Sequence, residues 1–252
     1  MGGGALPRVR QVAGVGAIEA ALGAGEDVRL VLVADDARSP ELARLVERAR
    51  QSGVAVRTAT RNVLARLSVP RPAEEALALA GRDPEAALDP SLARGGAFWL
   101  LVGVAYPGNV GMVIRTAEVS GADAIAIDGR FDHEAKRAAL RASMRADKFM
   151  PVLWQDAAGV LERARAAGHR VIALDEAGAR THWEADLTGP RLFVVGGENG
   201  GIPAELLARC DERVRVPMAG FIPCYNLQAA VSAVAVERLR QLAISPAPRG
   251  LG

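Results

Sequence analysis

Cysteine is almost missing from this chain. Cys210 and Cys224 are the only two among 252 residues. Two cysteines with no secretory signal argue against a disulfide scaffold and for a reducing cytosol. There is no CxxC pair or Cys/His cluster, and His133, His169 and His182 are scattered, so nothing suggests zinc or another metal. Aromatic residues make up 4% of a chain that is 50% hydrophobic, so the core must come mainly from Val, Leu, Ile and Ala. No apolar run reaches the roughly 18 residues a membrane span needs, and the N-terminus lacks a signal-peptide core. The sequence therefore predicts a soluble, cytoplasmic protein without a membrane partner. Lysine is scarce too: Lys136 and Lys148 are the only ones. The net charge of +2 is too small to establish a nucleic-acid partner. The arginine bias has a bland reading, a GC-rich genome, and a functional one, bidentate bonding to phosphate.

Familiar fingerprints are absent as well. Gly14-Val15-Gly16 begins a GxGxxG match, but Glu19 stands at the third glycine and the sequence shows no strand before it, so the dinucleotide motif fails. There is no GxxxxGK[ST], no GxSxG, and no credible Ser/His/Asp or Cys/His set, which argues against P-loop and hydrolase chemistry.

What is present is an alternation of apolar strands and amphipathic helices. Residues 28–34 read as a buried strand, Ser39-Pro40 opens a helix to about Gln51, and Val54-Ala55-Val56 starts a second strand. With a short helix over Ala17 to Leu22, residues 8–68 read as a compact α/β/α unit. An N-terminal domain is accordingly set at 1–68. Residues 69–96 carry Pro70, Pro72, Pro84, Pro90 and Gly95-Gly96, with an acidic helical stretch over Glu74 to Ala80, and read as a structured linker. From Ala97, within a second domain set at 97–252, strands alternate with helices, which predicts a mostly parallel sheet covered on both faces. The last helix runs from about Asn226 to Leu242.

Three segments couple this scaffold to polar or glycine-rich residues at element ends, where α/β proteins build sites. In the first, Asn109 sits at the expected N-cap of a helix. Arg115 lies further along, beside Gly111, Met112 and Val119, and is either snorkelling or held in a site. The second is Gly196-Gly197-Glu198-Asn199-Gly200-Gly201 between a strand and a helix. An ordinary turn rarely needs four glycines, whereas close approach of backbone to a ligand does. The third is Val216-Pro217-Met218 followed by Cys224-Tyr225-Asn226-Leu227. The plain alternatives there are a buried Cys224, a packing Tyr225 and an N-capping Asn226. Arg130, Lys136, Arg137, Arg141, Arg145 and Lys148 add a basic stretch, readable as a solvated helix face or as an RNA track.

Taken in order, the three segments resemble the signature motifs of the SpoU (TrmH-like) family of RNA ribose 2′-O-methyltransferases in the SPOUT superfamily. Asn109, Gly111, Arg115 and Ala117 match an NxGxxxRxA motif. Gly196, Glu198 and Gly201 match GxExxG, and Val216, Pro217 and Met218 match the start of the third motif. The family continues Ser-Leu-Asn-Val-Ser where this chain has Cys224-Tyr225-Asn226-Leu227-Gln228. The resemblance covers roughly 97–242, and extends more loosely to 8–68, which resemble a small RNA-binding domain carried by many members.

The resemblance implies an α/β, parallel-sheet SPOUT fold with a C-terminal trefoil knot, preceded by a small α/β/α RNA-binding domain. It implies S-adenosylmethionine as cofactor, held near Leu174, Gly196, Gly197, Gly201, Val216, Met218 and Tyr225. It assigns catalysis to Arg115, with Asn109, Glu198 and Asn226 beside it. It implies a homodimer that methylates a ribose 2′-hydroxyl of rRNA or tRNA. The alternatives are a non-catalytic RNA-binding SPOUT protein and a SPOUT base methyltransferase.

Overall fold

The computed structural model describes residues 10–68, 72–81, 83–198, 200–222 and 224–244. Asn199, Pro70 and the two chain ends lie outside the described residues. The chain forms two compact units, Arg8–Asp83 and Pro84–Gly252, divided in the middle of the stretch 69–96 expected as a linker.

The first unit is a four-stranded sheet with helices: β1 (Arg10–Ala13), α1 (Val15–Gly23), β2 (Val28–Ala34), α2 (Pro40–Gln51), β3 (Ala55–Ala59), α3 (Arg61–Leu67) and β4 (Ala76–Ala80). The strand order is β1-β4-β2-β3; β2 and β3 are parallel, and β4 runs antiparallel to β1 and β2. Helix α2 starts as the sequence predicts: Ser39 Oγ accepts from the Leu42 N–H at 3.2 Å, and Pro40 occupies the first turn, where no N–H is needed. Its buried Leu42, Leu45 and Ala49 fall on one face.

Two expectations are corrected here. Ala76–Ala80 is a central strand, not part of a helical linker, and all five residues are buried. Ala76, Ala78 and Ala80 join the core cluster that contains Ile18 and Ala21 of α1 and Leu42, Leu45 and Ala49 of α2. Small side chains on that face let helices pack closely, and tertiary burial overrides the helix propensity of alanine. A short strand, β1, also precedes Gly14, although the dinucleotide fingerprint still fails at Glu19.

The second unit contains α4 (Leu88–Leu92), β5 (Ala97–Val102), α5 (Pro107–Val119), β6 (Ala124–Asp128), α6 (His133–Ala142), a 3-10 turn (Ala146–Lys148), β7 (Val152–Trp154), α7 (Ala157–Ala166), β8 (Arg170–Leu174), β9 (Arg180–Thr181), β10 (Arg191–Gly196), α8 (Ala204–Leu207), β11 (Glu212–Arg215) and α9 (Leu227–Ile244). The strand order is β7-β6-β5-β10-β8-β11-β9, and every pairing is parallel. A central parallel sheet is covered on both faces, which is why β5 reads as an unbroken apolar run and is wholly buried.

Alternation along the strands divides the core into two layers. Trp99, Leu101, Phe193 and Val195 face α5 and α9 through Val113, Ile114, Val231 and Val234. Phe98, Leu100, Leu192 and Val194 face α4 and α7 through Leu88, Leu92, Val160 and Leu161. The few aromatics sit at the centre, with Trp99 stacked on Phe193 at 4.7 Å between ring centroids. Each such ring contributes about 1.5–3 kcal/mol by burial.

Helix α9 is tied to the segment before β10. Arg238 donates to the carbonyls of Leu187 and Gly189, and Gln241 donates to the Ala185 carbonyl at 3.0 Å. Burial, with Arg191 nearby, pulls Arg238 down to about 10. Among the described residues no helix is long and apolar enough to cross a membrane, and no group of three or more His, Cys, Asp or Glu could hold a metal ion.

Candidate active site

The carboxyl ends of β8, β10 and β11 open into a cleft of about 640 Å³. In open parallel sheets this edge is where ligands bind. Leu174, Gly196, Gly197, Gly201, Val216, Met218 and Tyr225, which come from three separate chain segments, all line it.

Backbone builds one wall. Gly197 N–H donates to the Val102 carbonyl at 2.7 Å, and Gly201 N–H donates back to Gly197 at 3.1 Å, folding the loop into a tight bridge. A Cβ on Gly196 would lie 2.1 Å from the Gly201 carbonyl carbon, and one on Gly197 would lie 2.1 Å from the Gly103 carbonyl oxygen. Neither contact can be relieved by turning a side chain. Gly201 has φ +62°, in the left-handed region. The glycines are therefore needed for close backbone packing as well as for exposing backbone to the cleft.

The opposite wall is the segment between β11 and α9. Tyr225 is about half exposed, at 48%, and its hydroxyl donates to the Pro217 carbonyl at 3.1 Å, closing the segment on itself. Cys224 also lines the cleft and is exposed, so it is not the buried small residue that composition allows. Burial pushes the thiol of the other cysteine, Cys210, up to about 11, which keeps it protonated. Asp175, Glu176 and Arg213 line the cleft too. The motif reading missed them, although carboxylates directly after the strand ending at Leu174 satisfy the same strand-end rule.

At the rim, three polar side chains from three segments meet. Asn109 Nδ2 donates to Glu198 Oε1 at 2.5 Å, and Asn226 Nδ2 donates to Asn109 Oδ1 at 3.3 Å. Asn226 Oδ1 accepts from the Gln228 N–H at 3.0 Å, so Asn226 caps α9 while it also reaches Asn109. Asn109 itself is not an N-cap. Helix α5 begins at Pro107, with Tyr106 at the cap position. Proline fits this first helical position because its missing N–H is not needed there. Asn109 thus lies inside the first turn, and its side chain is free to bond across to the glycine loop.

Arg115 does not join this group. It is exposed and lines a second, smaller hollow of about 310 Å³ between α5 and α9, with Met112, Thr116, Val119, Gln228, Ser232, Val236 and Leu239 among its neighbours. Gln228 Nε2 donates to Ser232 Oγ at 2.9 Å and to Thr116 Oγ1 at 3.4 Å, linking the two helices at the floor of the groove. Among the described residues the Arg115 guanidinium has no hydrogen-bond or ion-pair partner.

The profile of the SpoU rRNA Methylase family matches residues 97–236, from the start of β5 into α9. The 23S rRNA (guanosine-2'-O-)-methyltransferase RlmB of Pseudomonas syringae pv. tomato is 30% identical over 143 residues, which is 56% of this chain and 57% of that protein. The 23S rRNA (uridine(2479)-2'-O)-methyltransferase of Streptomyces viridochromogenes is 30% identical over 141 residues, 54% of this chain and 49% of that one. The chain thus spans about half the length of the curated relatives it matches. Among solved structures, the SpoU methyltransferase AviRb from Streptomyces viridochromogenes in complex with AdoMet superposes with a TM-score of 0.57 at 25% identity, covering 94% of this chain and 92% of that chain. The AdoMet-bound rRNA methyltransferase from Sinorhizobium meliloti gives a TM-score of 0.58 at 23% identity, covering 93% and 88%, which shows the shared fold. With the match running through the parallel sheet and all three segments that build the cleft, the chain belongs to the SpoU rRNA Methylase family.

Proposed function

We propose that this protein is an S-adenosylmethionine-dependent RNA methyltransferase that methylates a ribose 2′-hydroxyl of ribosomal RNA, with tRNA as the other substrate class. One observation carries the reading: the seven residues assigned to the cofactor line a single cleft, and Asn109, Glu198 and Asn226 are hydrogen-bonded together at its rim. The names of the relatives, 2'-O-methyltransferases of 23S rRNA, and the AdoMet in AviRb support it.

The residues fit that cofactor. Glycine backbone and the apolar Leu174, Val216 and Met218 suit an adenine, which needs flat apolar contact and main-chain bonds at its edge. Asp175 and Glu176 offer acceptors for ribose hydroxyls. When bound, the cofactor supplies a methyl group activated on a sulfonium. The protein's share is alignment of the ribose oxygen and stabilisation of the charge that develops there. Asn109 orients the ribose, and Glu198 and Asn226 hold Asn109. Arg115 anchors a phosphate and stabilises alkoxide charge rather than taking the proton, because a guanidinium keeps its proton in a protein and has no lone pair to accept another.

An Arg115 outside the cleft is reconciled with this role if two copies pair through α5 and α9 and the Arg115 of one copy completes the cleft of the other. The exposed Met112, Val119 and Val236 around the groove support such a homodimer. The chain beyond β10 forms a trefoil knot. Supporting it, β10 lies between β5 and β8 while the chain goes on to β11 on the far side of β8. The unit Arg8–Asp83 precedes the family-matched region and serves as the RNA substrate-binding domain. Acting on cellular RNA, the enzyme works in the cytoplasm.

The test is methyl incorporation from labelled S-adenosylmethionine into total RNA, followed by nucleoside mass spectrometry. A 2′-O-methylnucleoside is expected. A methylated base would make it a base methyltransferase. RNA binding without incorporation would make it a non-catalytic RNA-binding protein.

A further inference from the structure

Helix α6 carries a charge pattern that the cleft does not use. Its exposed residues His133, Arg137 and Arg141 recur at four-residue intervals and so share one stripe. The acids nearby are otherwise engaged. Asp132 accepts from the Ala135 N–H at 2.8 Å as the N-cap of α6, and Asp147 accepts from Ser143 Oγ at 3.2 Å and pairs with Lys148 at 3.0 Å. Glu134 stands in the first turn, where the helix dipole favours an acid. Among the described residues the guanidiniums of Arg137 and Arg141 have no hydrogen-bond or ion-pair partner. Some arginines elsewhere in this unit are paired, Arg163 with Asp89 at 3.3 Å, Arg165 with Asp211 at 2.5 Å and Arg170 with Glu212 at 3.0 Å, whereas Arg115 beside the site is not.

Strain gives a second, independent observation. Met144 (φ +53°) and Arg145 (φ +75°) are successive non-glycine residues in the left-handed region just after α6. Each such residue costs about 1–3 kcal/mol. Arg145 Nη1 is also buried with no partner among the described residues. Glycine would end the helix at lower cost, so local energetics do not account for an arginine here.

Location links both observations to the site. Gly111 of α5 packs on the last turn of α6: a Cβ there would meet Ala142 Cβ at 2.4 Å and the Ala139 carbonyl oxygen at 2.5 Å. Asn109 is two residues earlier on α5, about 3 Å along the helix axis. The end of α6, with Arg141 and Arg145 close by, therefore abuts the turn that carries Asn109.

We propose that Arg137, Arg141 and Arg145 form a phosphate-contacting strip that guides the RNA backbone along α6 to the Asn109 end of the cleft. The proposal rests on the RNA-methyltransferase reading above. Guanidiniums suit phosphates through bidentate bonds, and such contacts position a strand without reading its sequence.

The test is the salt dependence of binding of the full chain to poly(U) and to purified 23S rRNA. Each phosphate contact contributes about 0.7 to the slope of log K against log salt on single strands, so Arg137→Ala/Arg141→Ala should flatten the slope by about 1.4 and Arg145→Gly by about 0.7. Arg145→Gly should also raise the melting temperature, because it relieves the left-handed φ and removes the orphaned donor. Weaker RNA binding by a more stable protein is a result that a merely structural arginine does not produce. Titration with S-adenosylmethionine should be the same in all variants. Wild-type slopes in both variants overturn the strip. A wild-type chain that binds neither RNA overturns the RNA reading, and the strip with it.

Discussion

The cleft at the strand ends is walled largely by backbone, whereas the groove between α5 and α9 is walled by side chains. In the cleft, Gly196 and Gly197 bring main chain against main chain so that a single added carbon has nowhere to go, and Gly201 holds a left-handed φ. In the groove, Met112, Arg115, Val119 and Val236 stand in the open around the Thr116–Gln228–Ser232 bonds. The first construction tolerates almost no substitution and suits a small ligand of fixed shape. The second is adaptable and suits a macromolecular surface. A motif that is continuous in family terms is thus split in space: Asn109 bonds to Glu198 at the rim of the cleft and Arg115, on the same helix, faces the groove.

The largest effect expected from this contrast is at Gly197. Gly197→Ala places a carbon against the Gly103 carbonyl, an overpacking cost of about 1–3 kcal/mol or more, and should abolish S-adenosylmethionine binding in calorimetry. Gly200→Ala, where nothing lies within 4 Å, should bind normally. Equal losses at both positions would break the distinction between packed and open glycines.

Next is Arg115→Ala, expected to lower methyl transfer by about 10²–10³, the usual cost of removing one charge-stabilising donor. Cofactor affinity should stay as in wild type, since Arg115 is not among the cleft-lining residues. Unchanged turnover would remove Arg115 from the reaction altogether.

A smaller effect is expected from Val236→Glu, which puts a charge at the groove edge. Sedimentation velocity should show a shift from dimer towards monomer with cofactor binding retained. A wild-type chain that sediments as a monomer would end the pairing argument.

The smallest effect lies outside both hollows, at His169. Burial holds its pKa below the usual histidine value, and its Nδ1 is buried without a partner among the described residues. The unfolded chain therefore binds a proton more readily than the folded one. Stability associated with neutral His169 is present above about pH 6.5 and is lost as pH falls towards the lower folded value. The melting temperature should drop as pH is lowered from about 7 to about 5, and His169→Asn should flatten that drop. An identical pH profile in the variant would show that His169 is not the group responsible.

The elements readable from sequence were those whose burial is simple. Continuous apolar runs marked β5, β6, β8 and β10, because both faces of a central parallel strand are covered. Ser39-Pro40 marked the start of α2 by its own chemistry. Strand β4 was hidden because alternating Ala and Leu also suits a helix, and only its place between β1 and β2 decides the matter. Strand β9 is two residues, Arg180–Thr181, held by pairing to β11, and carries no pattern of its own. The start of α5 was misplaced by three residues because asparagine signals an N-cap strongly, while Pro107 is an equally good first helical residue.

The sequence by itself determined the alternating fold class, the family and the residue types at the strand ends, because these follow from local pattern and from motif spacing. The tertiary structure alone decided that three segments far apart in the chain form one cleft, that Asn109 bonds to Glu198 and Asn226, and that Arg115 opens onto a different surface. Spacing along a helix fixes which residues share a face, but only packing against other elements determines what that face meets.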